Sequence, residues 1–447
     1  MTASGSRADD LPRLAFVYHP RSFGTMAIAE AAESICALVW VIDSSEPDVS
    51  SMSRLLRRVG VVVDVAGMSV EQSAAAIAQA QPAGILALAD ERLLWTARVA
   101  ALLKLPFLQP DVAARLTDKY LQREALQAAG LPVPGFWQVP DELDERGWRA
   151  LASVATFPAV LKPRRGEGSR DIVRVRSFDE LRVLVAETPA AEASDGGAPA
   201  GDAAPADGES PPERHERTHD LVLEEYLGDR PEAAGHHFAD YVSVESVVSG
   251  GQISHLAITG RFPPADPFRE TGFFIPCAFD EQQRAAIADV ATAAVRAIGV
   301  GVGVLHTEVK LTPDGPRVIE LNGRIGGGVP EMLADATGVR LMALAMRVAL
   351  GESIVFETIP DCTQVGYLLY VQAPASMTTV TGIDGLDRLR EMPGVEEVTL
   401  NRGPGRAVDW RAGNHGHVFS VRGAVANHDE LRSIERFVSG EVEIHGD

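Results

Sequence analysis

Short apolar runs alternate with longer amphipathic stretches over the first hundred residues. Leu14–Tyr18, Ala37–Ile42, Val59–Val63 and Gly84–Leu88 are almost purely apolar and have the length of strands. Between them lie the alanine-rich stretch Met26–Ile35 and the stretch Val70–Gln79, both read as helices. Apolar strands alternating with helices predict a parallel sheet covered on both faces. This first domain is expected to end near Pro110.

The pattern then changes. Thr117–Ala129 reads as a helix, stopped by Gly130 and the following LPVP. The strand Pro158–Lys162 runs into a Gly-rich turn, PRRGEGS, and a second strand covers Asp171–Val175. A phosphate-binding P-loop or dinucleotide loop would need a helix next, and none is predicted. Strands follow at Leu221–Leu227 and Tyr241–Val248, and a helix at Glu281–Ile298. Val302–Lys310 and Arg317–Leu321 then flank a turn, Thr312-Pro-Asp-Gly315, as a hairpin. A helix is expected at Gly338–Leu350, and the tail Gln364–Asp447 reads as a small α/β domain. Pro189–Asp220 stands apart: it holds eight Ala, five Pro, four Gly and eight acidic residues against two Arg, with no large apolar side chain. Such a segment cannot offset its ordering entropy by burial and is expected to be a disordered surface insertion.

Length adds a domain count: 447 residues suggest about three domains. The net charge of −21 disfavours nucleic acid or an anionic membrane as a partner. No apolar run reaches the roughly 18–20 residues of a membrane span, and the first residues lack the pattern of a secretory leader. Cys36, Cys277 and Cys362 form no C-x-x-C pair, which argues against a zinc or redox site and for a cytoplasmic protein. Only four of the 41 basic residues are lysines: Lys104, Lys119, Lys162 and Lys310. A chain so biased towards arginine makes each lysine a candidate for chemistry that a guanidinium cannot do.

The predicted hairpin carries the strongest constellation. Glu308 lies on its first strand, and Glu320 and Asn322 share one face of its second. The turn centre brings Glu308 opposite Ile319 or Glu320. Two carboxylates and a carboxamide are hard oxygen ligands suited to Mg²⁺; the competing reading is a solvated hairpin with chance acidic residues. Lys162 ends its strand just before the Gly-rich turn, Lys119 sits in the first turn of a helix, and Lys310 is two residues beyond Glu308. Flexible ammonium groups there suit a triphosphate. Gly166, Gly168 and Ser169 leave backbone N–H groups free to approach phosphate. Glu224 could accept from an amino group on an adenine, or be an edge-strand residue in water. Arg324, in Gly323–Gly328, suits a developing acyl phosphate. Glu270, in FRETGF, suits a substrate ammonium. The histidines are scattered and are not read as metal ligands; only His306 shares the Glu308 face.

These motifs resemble those of ATP-grasp carboxylate–amine ligases. The pieces are TDKYLQREALQAAGLPVP, PAVLKPRRGEGS, VLEEYL, DYVSVE, FRETGFFIP, HTEVKL and VIELNGRIGGG. Their order spans nearly the whole chain, and the stretch ADYVSVESVVSGG to HTEVKL most resembles the L-amino acid ligases that make dipeptides. The resemblance implies an α/β ATP-grasp fold: a Rossmann-like domain over 1–112, a split ATP-grasp domain over 113–355 with a lid at about 135–227, and a C-terminal α/β domain over 356–447. It implies ATP and Mg²⁺ or Mn²⁺ as cofactors, and small-molecule carboxylate and amine substrates joined through an acyl phosphate. It also suggests a homodimer. Lys119 and Lys162 match the phosphate-binding lysines, and Lys162 with Arg324 the catalytic cations. Glu224 matches the adenine-binding acid, with Tyr226 and Leu227 giving backbone contacts; Lys310 joins the nucleotide set. Glu308, Glu320 and Asn322 match the metal ligands. Glu270, Phe273, Arg324, Gly327 and Gly328 match the substrate positions. Phe273 replaces a histidine of the dipeptide ligases and Gly328 a bulky aromatic, while Tyr241 and Asp240 stand near the expected ribose acid. Alternatives are a ligase for a non-amino-acid carboxylate, a purine-type relative, and a non-catalytic nucleotide-binding module.

Overall fold

The computed structural model describes residues 11–20, 22–139, 145–166, 168–187, 221–230 and 237–447. The expected disordered insertion 189–220 lies outside them. Four sheets form among the described residues. The N-terminal apolar runs make the first. Its strands Val61–Asp64, Ala37–Ile42, Arg13–Val17 and Gly84–Ala87 stand in that order, all parallel. Ala37–Ile42, Arg13–Val17 and Gly84–Ala87 read as apolar runs because both faces are covered, whereas the edge strand Val61–Asp64 is only partly buried. One cover is the distant helix Leu341–Ala349. It lies so close that a Cβ on Gly84 would sit 2.2 Å from the Ala349 carbonyl oxygen. Leu14, Phe16, Leu344 and Met346 share that core, and full burial of each is worth about 1.5–3 kcal/mol. This packing anchors the N-terminal sheet to the central region. Asp90, just past the carboxyl end of strand Gly84–Ala87, is thereby set beside Arg324.

The second sheet is antiparallel, in the order Phe136–Val139, Leu221–Glu225, Ala159–Pro163, Val173–Val175. Helices Glu145–Val154 and Phe178–Glu187 accompany it. Leu151, Leu161, Leu181, Val185 and Leu223 form its core. Strand Leu221–Glu225 is an inner strand here. Glu224 is therefore buried, which overturns the reading of it as an edge residue in water.

The third sheet has eight antiparallel strands: Gly315–Asn322, Gly303–Thr312, Tyr241–Ser249, Gln252–Arg261, Gly272–Ile275, Val365–Val371, Phe419–Val425 and Val395–Leu400. The C-terminal strands thus extend the central sheet, and a two-stranded ribbon, Val380–Asp384 with Glu443–Gly446, stands apart. Strand Gln252–Arg261 does not figure in the sequence reading. Most of it is buried, and burial on both faces hides the period-two alternation.

Two helices start later than the sequence predicts. The helix read over Thr117–Ala129 runs from Lys119 to Ala128. Pro110–Thr117 and Lys119–Ala128 are separated by Asp118, whose backbone is extended (φ −127°, ψ 109°). Its carboxylate accepts from the Tyr120 and Leu121 N–H groups, an N-cap that takes up two orphan donors of the second helix. The predicted helix Gly338–Leu350 starts only at Leu341. A separate helix, Val329–Thr337, precedes it and ends on Gly338 at φ 78°. No helix among the described residues is long and apolar enough to cross a membrane.

Candidate active site

The break at Asp118 fixes where Lys119 points. Asp118 is 1% exposed and also binds the Arg164 guanidinium, at 3.1 Å to Nε and 2.6 Å to Nη2. The Lys119 N–H donates to the Arg164 carbonyl at 2.9 Å. Its ammonium then donates to the Gly166 carbonyl at 2.8 Å and lies 3.0 Å from Glu320 Oε1. One lysine thus joins the Gly-rich turn to the hairpin. Gly166, Gly168 and Ser169 are described in that turn and all have positive φ; Glu167 lies outside the described residues.

Glu224 sits between two cations. Arg123 binds it in a two-pronged pair, both distances 3.0 Å, and Lys162 Nζ lies 2.7 Å from Oε2. All three side chains are buried. Burial alone would raise the Glu224 pKa, but Arg123 and then Lys162 bring it down to about 2. Burial also holds the Lys162 ammonium below the ordinary lysine range, with Glu224 opposing. Arg123 reaches the Ile319 carbonyl as well, so this cluster touches the hairpin. Tyr226 follows it, its hydroxyl donating to Asp229 and its ring under the Arg174 guanidinium at 4.0 Å; Leu227 is next in the chain. Lys310 holds Asp229 at 2.8 Å and Asp240 at 2.7 Å.

The hairpin pairs as its turn predicts. Glu308 stands directly opposite Glu320, and His306 opposite Asn322, with a bulge after Glu308. Like charges directly opposite on a sheet repel, so each carboxylate needs a cation. Lys119 serves Glu320. Glu308 lies 3.5 Å from His306 Nε2 and 4.0 Å from Arg261 Nη2. Burial would raise the Glu308 pKa, but His306 and Arg261 lower it to about 2. Two carboxylates and a carboxamide on adjacent strands are hard oxygen donors, which fits Mg²⁺ or Mn²⁺ better than a soft metal. Among the described residues, no group of three His, Cys, Asp or Glu side chains is arranged around a metal position. Two buried guanidinium nitrogens near these carboxylates, Arg123 Nη1 and Arg261 Nε, have no hydrogen-bond partner among the described residues. Unused buried donors fit an anionic ligand.

Behind Glu308 lies a dyad. His306 Nδ1 is 2.9 Å from Glu245 Oε2, and Glu245 also accepts from Ser243 at 2.7 Å and Thr259 at 2.9 Å. Burial would lower the His306 pKa, but Glu245 and Glu308 raise it to about 9. A proton on each ring nitrogen serves Glu245 and Glu308 together. The Arg261 nitrogen 3.2 Å from Nε2 is balanced by Glu270, which Arg261 Nη1 contacts closely. Because this pKa is raised over the free histidine value, the stabilisation is complete below about pH 6.5 and is lost as pH rises through about 9. The wild-type thermal midpoint should therefore fall between pH 7 and 10, and His306→Gln should flatten that limb; equal slopes would remove His306 from the account.

Glu270 is the far end of this chain of charges. Arg261 holds one oxygen and the Asn414 amide the other, and burial raises its pKa. Phe273 lies 4.2 Å under the Arg261 guanidinium and edge-on to Tyr370 at 5.4 Å. Arg324 donates to Asp90 at 2.8 Å and to the Ile325 carbonyl at 3.2 Å. A Cβ on Gly327 would meet nothing within 4 Å. At Gly328 (φ 71°) it would fall 2.3 Å from a Leu368 methyl. Leu368 thus fills the room that the small residue leaves.

The sequence reading did not single out Arg123, Arg261, Glu245 or Asn414. A signal existed for two of them: Glu245 and Arg261 are the single carboxylate and the single guanidinium of their strands. Asn414 lies in a turn without pattern.

No protein-family model matches the chain. It is 29% identical over 332 residues to "Uncharacterized protein y4rH" of Sinorhizobium fredii, covering 73% of this chain and 60% of that protein. It is 33% identical over 110 residues to carnosine synthase 1 of Homo sapiens, covering 24% of this chain and 13% of that one. The chain therefore spans less than two thirds of the length of these relatives. Among solved structures, an L-amino acid ligase from Bacillus licheniformis superposes with a TM-score of 0.72 at 20% identity, over 98% of this chain and 99% of that one. Over nearly its whole length the chain thus has the fold of that L-amino acid ligase, the ATP-grasp fold expected from the order of the motifs.

Proposed function

We propose that the protein is an ATP-dependent ligase that joins a carboxylate, an amino acid, to an amine and releases ADP and phosphate. The observation that carries this reading is the Lys119 ammonium, which binds both the Gly-rich turn and the Glu320 carboxylate. In this reading it ties the phosphate-binding loop to the cation-binding carboxylate pair. In this reading Lys162, Lys119, Gly166, Gly168 and Ser169 hold the phosphates. Glu224, Tyr226 and Leu227 receive the base, and Lys310 sets Asp229 and Asp240 beside it. A divalent cation held by Glu308, Glu320 and Asn322 would neutralise phosphate charge. Arg324 steadies the acyl phosphate oxygens. Glu270, with Phe273, Gly327 and Gly328 around it, orients the ammonium of a substrate. Positioning and charge neutralisation supply most of the rate, and no side-chain nucleophile is needed.

The domain limits 1–112, 113–355 and 356–447, the cytoplasmic location and the homodimer belong to this same proposal and rest on the resemblance. The test is ADP release screened over pairs of amino acids, with mass analysis of the product. ADP release that needs both partners, with a product of their summed mass less water, is expected. Turnover driven by bicarbonate alone would sink the peptide-ligase reading.

A further inference from the structure

We propose that Asn414 is a positioning residue that couples the Gly-rich turn to Glu270. The inference rests on the reading that the turn covers nucleotide phosphates and Glu270 meets a substrate ammonium. Asn414 lies in the short helical turn Trp410–Gly416 of the C-terminal region. Its amide nitrogen donates to Glu270 Oε2, and its amide oxygen accepts the Glu270 backbone N–H at 2.9 Å. Its own backbone N–H donates to the Gly168 carbonyl at 3.0 Å. One residue thus grips the acid at two points and the phosphate-side turn at a third.

The neighbouring geometry is built for that approach. Gly413 has φ 60° and ψ −136°, and a Cβ there would fall 2.3 Å from the Gly168 carbonyl oxygen. Only glycine lets the two backbones meet. The segment is held from both sides: Asp409 accepts from the Arg411 N–H at 2.9 Å, and His417 Nδ1 lies 2.8 Å from the Asn414 carbonyl. The His417 ring stacks at 4.6 Å on Tyr370, which meets Phe273 and so Arg261 and Glu270. The contacts close a ring that begins and ends on Glu270. The chemistry of the residue also fits. A neutral carboxamide fixes this carboxylate without placing a second cation beside the Arg261 guanidinium that already pairs with it. Drawing the Gly-rich turn inward over a nucleotide therefore also sets the substrate acid, and by linkage each ligand strengthens the other.

The experiment uses the full chain with Mg²⁺ and ADP as probe, read by hydrogen exchange. In the wild type, ADP is expected to protect peptides over both 165–170 and 268–273. In Asn414→Ala the first protection should persist and the second should disappear. Gly413→Ala, which blocks the close approach, should weaken both. With a substrate pair from the screen, Asn414→Ala should raise KM for the amine-bearing substrate by about 5–150-fold, the usual span of such coupling, with little change in KM for ATP. Asn414→Ser, which retains a short donor, should recover part of it. Absence of any ADP-dependent protection over 165–170 in the wild type would overturn the nucleotide reading itself. Protection over 165–170 alone in the wild type, or over both segments in Asn414→Ala, would overturn the coupling.

Discussion

Glu308→Gln and Glu320→Gln should each lower ADP release by about 10²–10³-fold, the scale on which removal of one preorganised charge contact acts, while the chain stays folded. The two carboxylates stand directly opposite each other on adjacent strands. Such a pair is unfavourable by itself and is tolerated because Lys119, His306 and Arg261 surround it. Glutamine keeps the shape and some hydrogen bonding but removes the negative charge that a hard cation needs. The Mg²⁺ concentration for half-maximal turnover should rise in both variants before saturating turnover is compared. If both retain wild-type rates at wild-type Mg²⁺ demand, these carboxylates do not hold the catalytic cation; a non-catalytic nucleotide module would instead show no ADP release in the wild type.

Glu224→Gln should cost about 3–5 kcal/mol of stability, the usual penalty for breaking a buried ion pair from one side. Arg123 and Lys162 would remain buried, with their only carboxylate partner in this cluster gone. At roughly 2–4 °C per kcal/mol, the thermal midpoint should drop by roughly 10 °C. The pH dependence follows from the same contacts. The Glu224 carboxyl titrates at about 2 in the folded chain, against about 4.3 when unfolded. Its contribution is thus present above the unfolded value and is lost as pH falls from about 5 towards 2. Midpoints measured from pH 7 down to pH 3 should fall steeply for the wild type and more gently for Glu224→Gln. Parallel curves, or a shift of only a degree or two, would mean that Arg123 and Lys162 find other partners.

The local parts of this site could be read from the chain. Lys162 before its Gly-rich turn, Glu308 with Glu320 and Asn322 around a short hairpin, and Lys119 at a helix start are each set by neighbours within about a dozen residues. Turn chemistry and strand alternation act over that distance, and the pairing of Glu308 with Glu320 agrees with the predicted turn centre. The helix read over Thr117–Ala129 begins only at Lys119, for a local reason too: Asp118 is extended and caps it by accepting from the Tyr120 and Leu121 N–H groups.

The longer-range parts were decided by tertiary structure. A glutamate in an apolar strand has the same local pattern whether it meets water or a guanidinium, and Glu224 finds Arg123 from 101 residues away. Asn414 reaches Glu270 across 144 residues. Arg261, Glu245 and His306 converge because three strands, Tyr241–Ser249, Gln252–Arg261 and Gly303–Thr312, are brought side by side in one sheet. The order of residues alone was enough for the alternation of parallel strands and helices at the start, for the scarcity of lysine that drew attention to Lys119, Lys162 and Lys310, and for the carboxylates of the hairpin. Only the folded chain decided which buried charges pair, because that energy depends on distance and burial rather than on order along the chain.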